Sequence, residues 1–106
     1  LTSVAKHRVA RESEIAAVGT LKRVVVETTP ICLVRAADGR VYAVSDTCTH
    51  EGQSLSDGEL WGMEVECPRH ASRFDLRTGE VTGPPALLPL DTFPVATEDG
   101  HIVVEL

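Results

Sequence analysis

Two short phrases constrain this chain more than anything else in it: "CTH" at residues 48–50 and "CPRH" at residues 67–70. Together they read C-x-H-x16-C-x2-H, so each phrase supplies one thiolate and one imidazole. Those are the soft and borderline donors that select zinc, copper or iron–sulfur centres over oxygen-loving cations. Any fold must therefore carry two separate loops to a common point. Two outcomes are open. One tetrahedral ion can hold all four donors, or a dinuclear centre can take both sulfurs on one metal and both nitrogens on the other.

The rest of the chain supplies a frame for those loops. "LKRVVVET" (21–28) and "ICLVRAA" (31–37) are rich in β-branched residues, with Thr29 and Pro30 between them as a break. "ADGR" (37–40) carries the Asp-Gly hairpin signal, and "VYAVSD" (41–46) is the return strand. "DTFPVATEDGHIVVEL" (91–106) reads as strand, Asp-Gly turn and strand, with Pro94 marking an edge strand. Only "RESEIAAVG" (11–19) reads as helical. Residues 45–86 differ from their flanks: they hold both Cys–His phrases and five of the eight glycines, and end in "GPPA". The expectation is an all-β chain of one domain, 1–106, with a loop-rich insertion at 45–86 on an antiparallel sandwich.

Zinc knuckles usually pair cysteine with cysteine and place their histidines on a helix. Here the types alternate, outside any helical pattern. Alternation favours a [2Fe–2S] centre with one Cys₂ iron and one His₂ iron, with a mononuclear zinc site as the alternative. On these residues the chain resembles the Rieske [2Fe–2S] proteins: "CTH" and "CPRH" match the two cluster-binding loops, and "GPPA" looks like their proline-containing third loop. The resemblance implies that Cys48 and Cys67 hold a buried iron, and that His50 and His70 hold an outer iron through Nδ1. It also implies that Pro84 and Pro85 shield the cluster.

High-potential relatives in this family carry a further cysteine in each loop. The corresponding residues here are Gln53 and Arg69, so that inter-loop disulfide cannot form. Ser72 is retained where the family hydrogen-bonds sulfur, but Phe74 stands where a tyrosine hydroxyl would be. Fewer donors to sulfur place the expected potential in the lower half of the Rieske range, roughly −150 to 0 mV. Low potential, small size and no disulfide resemble the ferredoxins of bacterial ring-hydroxylating oxygenase systems. That likeness implies a monomeric carrier between a flavin-dependent reductase and a terminal non-haem iron oxygenase, and not an enzyme. The alternatives are a small Rieske subunit of a nitrite reductase-like complex and an iron–sulfur sensor or accessory protein.

Charge and composition agree with that class. A formal net charge of −6 disfavours nucleic acid or an anionic membrane as partner. No apolar run approaches a bilayer span, the start lacks a signal-peptide pattern, and three cysteines fit a cytoplasmic setting. Cys32, mid-strand in "ICLV", reads as core, and His7 and His101 as surface. Trp61 and Met63 are expected to pack beneath the loops, with partner contact the alternative for Trp61. Glu51, Asp57, Glu59, Glu64 and Glu66 read as a solvated face or a docking surface. The docking candidates beside His50 and His70 are Glu51, Arg69 and Arg73.

Overall fold

The computed structural model describes residues 5–50 and 52–106. Its strands are β1 (Lys6–Arg11), β2 (Leu21–Val26), β3 (Thr29–Arg35), β4 (Val41–Ser45), β5 (Glu59–Trp61), β6 (Glu64–Glu66), β7 (Arg73–Asp75), β8 (Val81–Gly83), β9 (Thr92–Phe93), β10 (Val95–Glu98) and β11 (His101–Glu105). They form three antiparallel sheets, in the orders β1-β11-β10, β2-β3-β4-β9 and β5-β6-β7-β8.

The period of two in β3 explains how these sheets stack. Ile31, Cys32, Leu33 and Val34 are all buried, so this strand is covered on both faces. Ile31 and Leu33 face a cluster completed by Ala43, Ile102 and Val104, which belongs to the β1-β11-β10 side. Cys32 and Val34 face the other way, into a cluster with Val44, Cys48, Val65, Cys67 and Phe74. The central sheet is therefore a shared wall, with the Cys–His loops and the sheet β5-β6-β7-β8 on one side of it. Val65 and Phe74 are paired across β6 and β7, both fully buried, and each contributes about 1.5–3 kcal/mol by leaving water.

Local expectations are corrected at residues 11–19, at Thr29 and Pro30 and at His7, and the edge expected at Pro94 is borne out and extended. The stretch 11–19 yields only a 3₁₀ turn at Glu12–Ile15, because Ile15 is its single buried residue and no apolar stripe extends it. Thr29 and Pro30 do not break the first hairpin. They begin β3, opposite Val26 and Val25, and the turn falls one step earlier, with Glu27 at φ 58°. Pro94 does more than mark an edge. It separates β9, on the rim of the central sheet, from β10, on the rim of the outer one, so one apparent strand serves two sheets. His7 is also only half exposed, and its Nε2 is buried with no hydrogen-bond partner.

Cys32 is core. Burial pushes its thiol far above the ordinary range, and the nearby Asp46 carboxylate pushes the same way. The unfolded thiol ionises near pH 8.5 while the folded one stays neutral. Stability from this group is thus complete below pH about 8.5 and falls as pH rises beyond it. Cys32 is expected to resist iodoacetamide in the native protein at pH 8 and to react once urea unfolds it, as read by mass spectrometry of the labelled peptide.

Candidate metal centre

The first Cys–His phrase sits on a loop closed at its base by a buried carboxylate. Asp46, 2 % exposed, follows β4 and accepts hydrogen bonds from the Ser54 hydroxyl and, at 2.8 Å, from the Ser56 amide. Arg23 of β2 pairs with it through Nε at 3.2 Å. The backbone closes the same ring: the Leu55 amide donates to the Asp46 carbonyl at 2.7 Å, and the Cys48 amide to the Gln53 carbonyl at 2.8 Å.

The second phrase lies on the turn between β6 and β7. There the Cys67 amide donates to the Ser72 carbonyl at 2.8 Å, and Ala71 adopts φ 59°. A third segment, 83–90, runs across both. The Ala86 amide donates to the buried Ser72 Oγ at 3.0 Å, the Thr49 hydroxyl to the Leu88 carbonyl at 2.7 Å, and the Leu90 amide to the Gly79 carbonyl at 2.8 Å. Pro84 and Pro85, joined by a cis peptide, lie exposed on this strap. Ser72 therefore spends an acceptor lone pair on the strap and keeps its O–H for another partner. Phe74 offers no donor and is fully buried beneath.

The four donors come together two and two. Cys48 and Cys67 are 2 % and 3 % exposed and lie within hydrogen-bond reach of each other. His50 and His70 are exposed, with ring centroids 5.4 Å apart and planes at 85°. Burial raises the Cys67 thiol above its ordinary range, and the Cys48 sulfur adds to that rise. The backbone amides of Arg69 and His70, aimed at the Cys67 sulfur, oppose it by favouring thiolate. Among the described residues, no three Cys, His, Asp or Glu side chains converge on one point as around a single ion. Two thiols inside and two imidazoles outside fit a group with two metals, one facing the core and one facing solvent.

The surrounding surface differs from expectation at Trp61. It is 49 % exposed, not packed beneath the loops, and the Arg73 guanidinium lies 4.7 Å from its ring centroid. Arg73 also bonds Glu66 through Nε at 2.8 Å, so it is held within its own sheet. Met63 does pack against the core. Arg69 is exposed, and Glu51 lies outside the described residues. Two features carried no sequence signal of their own: the Asp46 clasp, and Leu87 and Leu88, exposed to 89 % and 64 % on the strap.

The Rieske [2Fe-2S] domain model matches residues 5–94. The chain belongs to the Rieske [2Fe–2S] family. This Rieske chain is 41 % identical over 75 residues to the ferredoxin component of the 2,4-dinitrotoluene dioxygenase system of Burkholderia sp. (strain RASC), covering 71 % of each chain. It is 40 % identical over 82 residues to the 3-phenylpropionate/cinnamic acid dioxygenase ferredoxin subunit of Escherichia coli (strain K12), covering 76 % of this chain and 77 % of that one. Among solved structures it resembles the ferredoxin in a complex of reduced oxygenase and oxidized ferredoxin in carbazole 1,9a-dioxygenase. There the TM-score is 0.84 at 37 % identity, over 93 % of this chain and 91 % of that one. A Rieske protein of this kind is an electron-transfer component with a [2Fe–2S] cofactor, and it leaves catalysis to another protein. No helix among the described residues is long and apolar enough to cross a membrane.

Proposed function

We propose that this Rieske protein is the one-electron carrier of a ring-hydroxylating oxygenase system, taking electrons from a flavin-dependent reductase and delivering them to a terminal non-haem iron oxygenase. The observation that carries the reading is the division of donors by depth: cysteines inside, histidines at the surface. In this assignment Cys48 and Cys67 hold the inner iron, His50 and His70 the outer one, and residues 45–86 form the cluster-binding subdomain of a single domain. When bound, the [2Fe–2S] cluster supplies a site for one electron at a potential that its ligands raise above the all-cysteine range. The protein's own part is positional. The amides of Arg69 and His70 hold the Cys67 thiolate, Ser72 ties the second loop to the strap, and Pro84 and Pro85 cover the site. The two exposed imidazoles offer a partner the shortest route inward.

Leu87 and Leu88 extend that contact surface. The strap bonds at Thr49 and Ser72 fix their backbone beside both histidine loops, while their side chains stay in water. Exposed apolar side chains held rigidly beside a redox site suit a small, transient interface better than they suit folding. The doubly substituted Leu87→Ser/Leu88→Ser protein is expected to reduce the oxygenase about tenfold or more slowly, since about 1.4 kcal/mol of lost contact is tenfold. Its reduction potential is expected to be unchanged. A wild-type rate in stopped-flow would remove these leucines from the docking surface.

The carrier reading itself is tested by low-temperature EPR before and after reduction, followed by turnover with reductase and oxygenase. A rhombic signal that appears on reduction, and product that forms only when all three proteins are present, are expected. A protein that is reduced but supports no oxygenase turnover would favour a sensor or a nitrite reductase subunit. The monomer is the expected state, because a shuttle must present one face to two partners in turn.

A further inference from the structure

We propose that the Asp46–Arg23 pair sets the reduction potential of the site, with the buried Asp46 carboxylate lowering it and Arg23 partly cancelling that charge; the inference rests on the ligand assignment above. Asp46 stands two residues before Cys48, at the closed base of the first loop. Its side chain is 2 % exposed, so solvent screens it weakly, whereas the Arg23 side chain is 52 % exposed and its charge is shared with water. The compensation is therefore incomplete, and a net negative field remains on the protein side of the loop. That field reaches the core shared with both sulfurs. Only Thr47 separates Asp46 from Cys48, and Cys48 packs with Cys67 in one buried cluster, where solvent screening is weak. A fixed negative charge opposes the arrival of an electron, as net charge does across iron–sulfur sites in general.

Asp46 also holds the loop mechanically, through Ser54 and the Ser56 amide. The two roles separate by sign. Asp46→Asn keeps an oxygen for the Ser56 amide and an N–H for the Ser54 hydroxyl, but removes the charge and, with it, the acceptor that Arg23 Nε uses. Arg23→Gln leaves the carboxylate bonded and strips its counter-charge. If the pair acts through its field, Asp46→Asn raises the potential and Arg23→Gln lowers it. Each shift is expected to be near a tenfold change in the equilibrium constant for one-electron reduction, about 59 mV. If the pair serves only to hold the loop, the two variants shift the potential in the same direction or not at all.

Protein-film voltammetry on wild-type, Asp46→Asn and Arg23→Gln proteins decides it, with reduced EPR spectra recorded on the same samples. Shifts of opposite sign with unchanged g-values are the expected result. Unchanged potentials, or shifts of one sign, overturn the proposal while a wild-type Rieske signal leaves the carrier reading standing. If Asp46→Asn fails to hold its cluster, Arg23→Gln decides alone: a lowered potential supports the field and an unaltered one overturns it. A wild-type protein without a Rieske signal would remove the ligand assignment and this proposal together.

Discussion

A Cys67→Ala protein is expected to retain no iron or sulfide, no visible charge-transfer absorption and no EPR signal on reduction. The reason lies in how the second loop is built. Cys67 is nearly fully buried, and the amides of Arg69 and His70 are aimed at its sulfur, an arrangement that favours a thiolate. Metal binding deprotonates a coordinating thiol outright and releases it from the rise that burial imposes. Alanine removes that sulfur and with it one of the four donors of the site. His50→Ala is the informative companion: it should also abolish the Rieske signal, although its imidazole is exposed. Iron and sulfide measured on protein matured in cells provide the check. Wild-type content in Cys67→Ala would show that Cys67 is not a ligand.

Gly79→Ala is expected to cost about 2–5 kcal/mol of stability, a large share of the roughly 5–15 kcal/mol that holds a domain together. Gly79 has φ +78°, where an L-residue is strained by about 1–2 kcal/mol. A Cβ there would also lie 2.1 Å from the Leu90 carbonyl oxygen, an overlap relieved only by moving backbone, at about 1–3 kcal/mol more. The backbone that moves is the strap's own, since the Leu90 amide donates to the Gly79 carbonyl. The midpoint of thermal unfolding should fall by roughly 10–30 °C. Gly39→Ala isolates the backbone part of the cost, because Gly39 has φ +82° with nothing within 4 Å of its would-be Cβ. Equal losses in the two variants would show that the strap gives way without cost.

Much of this architecture is legible in the residues. The Asp-Gly pairs at 38–39 and 99–100 mark hairpins because glycine takes the positive φ found at Gly39 and Gly100 without steric cost and aspartate tolerates it at Asp99. The all-β class follows from repeated β-branched runs, and the paired Cys–His phrases point to the centre. What escaped is what depends on distant partners. Pro30 reads locally as a breaker, yet it opens β3, where its carbonyl accepts from the Asp46 amide at 3.1 Å. Asp46 looks like any polar residue at a strand end. Its importance comes from Ser54, Ser56 and Arg23, which share no periodicity with it. Trp61 reads as packed beneath the loops, but its neighbour Leu60 takes the core side of β5, so alternation puts the ring on the other face of the sheet, with Arg73.

The strap over residues 83–90 has a consequence for chemical durability. Its three ties, at Ser72, Thr49 and Gly79, are hydrogen bonds, and Cys32, Cys48 and Cys67 are all free thiols. By the family resemblance, Gln53 and Arg69 stand where high-potential relatives carry the two cysteines that bridge the loops. A thiol reductant such as glutathione or dithiothreitol therefore finds no bond to cut between them. The alignment of the loops thus does not depend on the surrounding thiol poise.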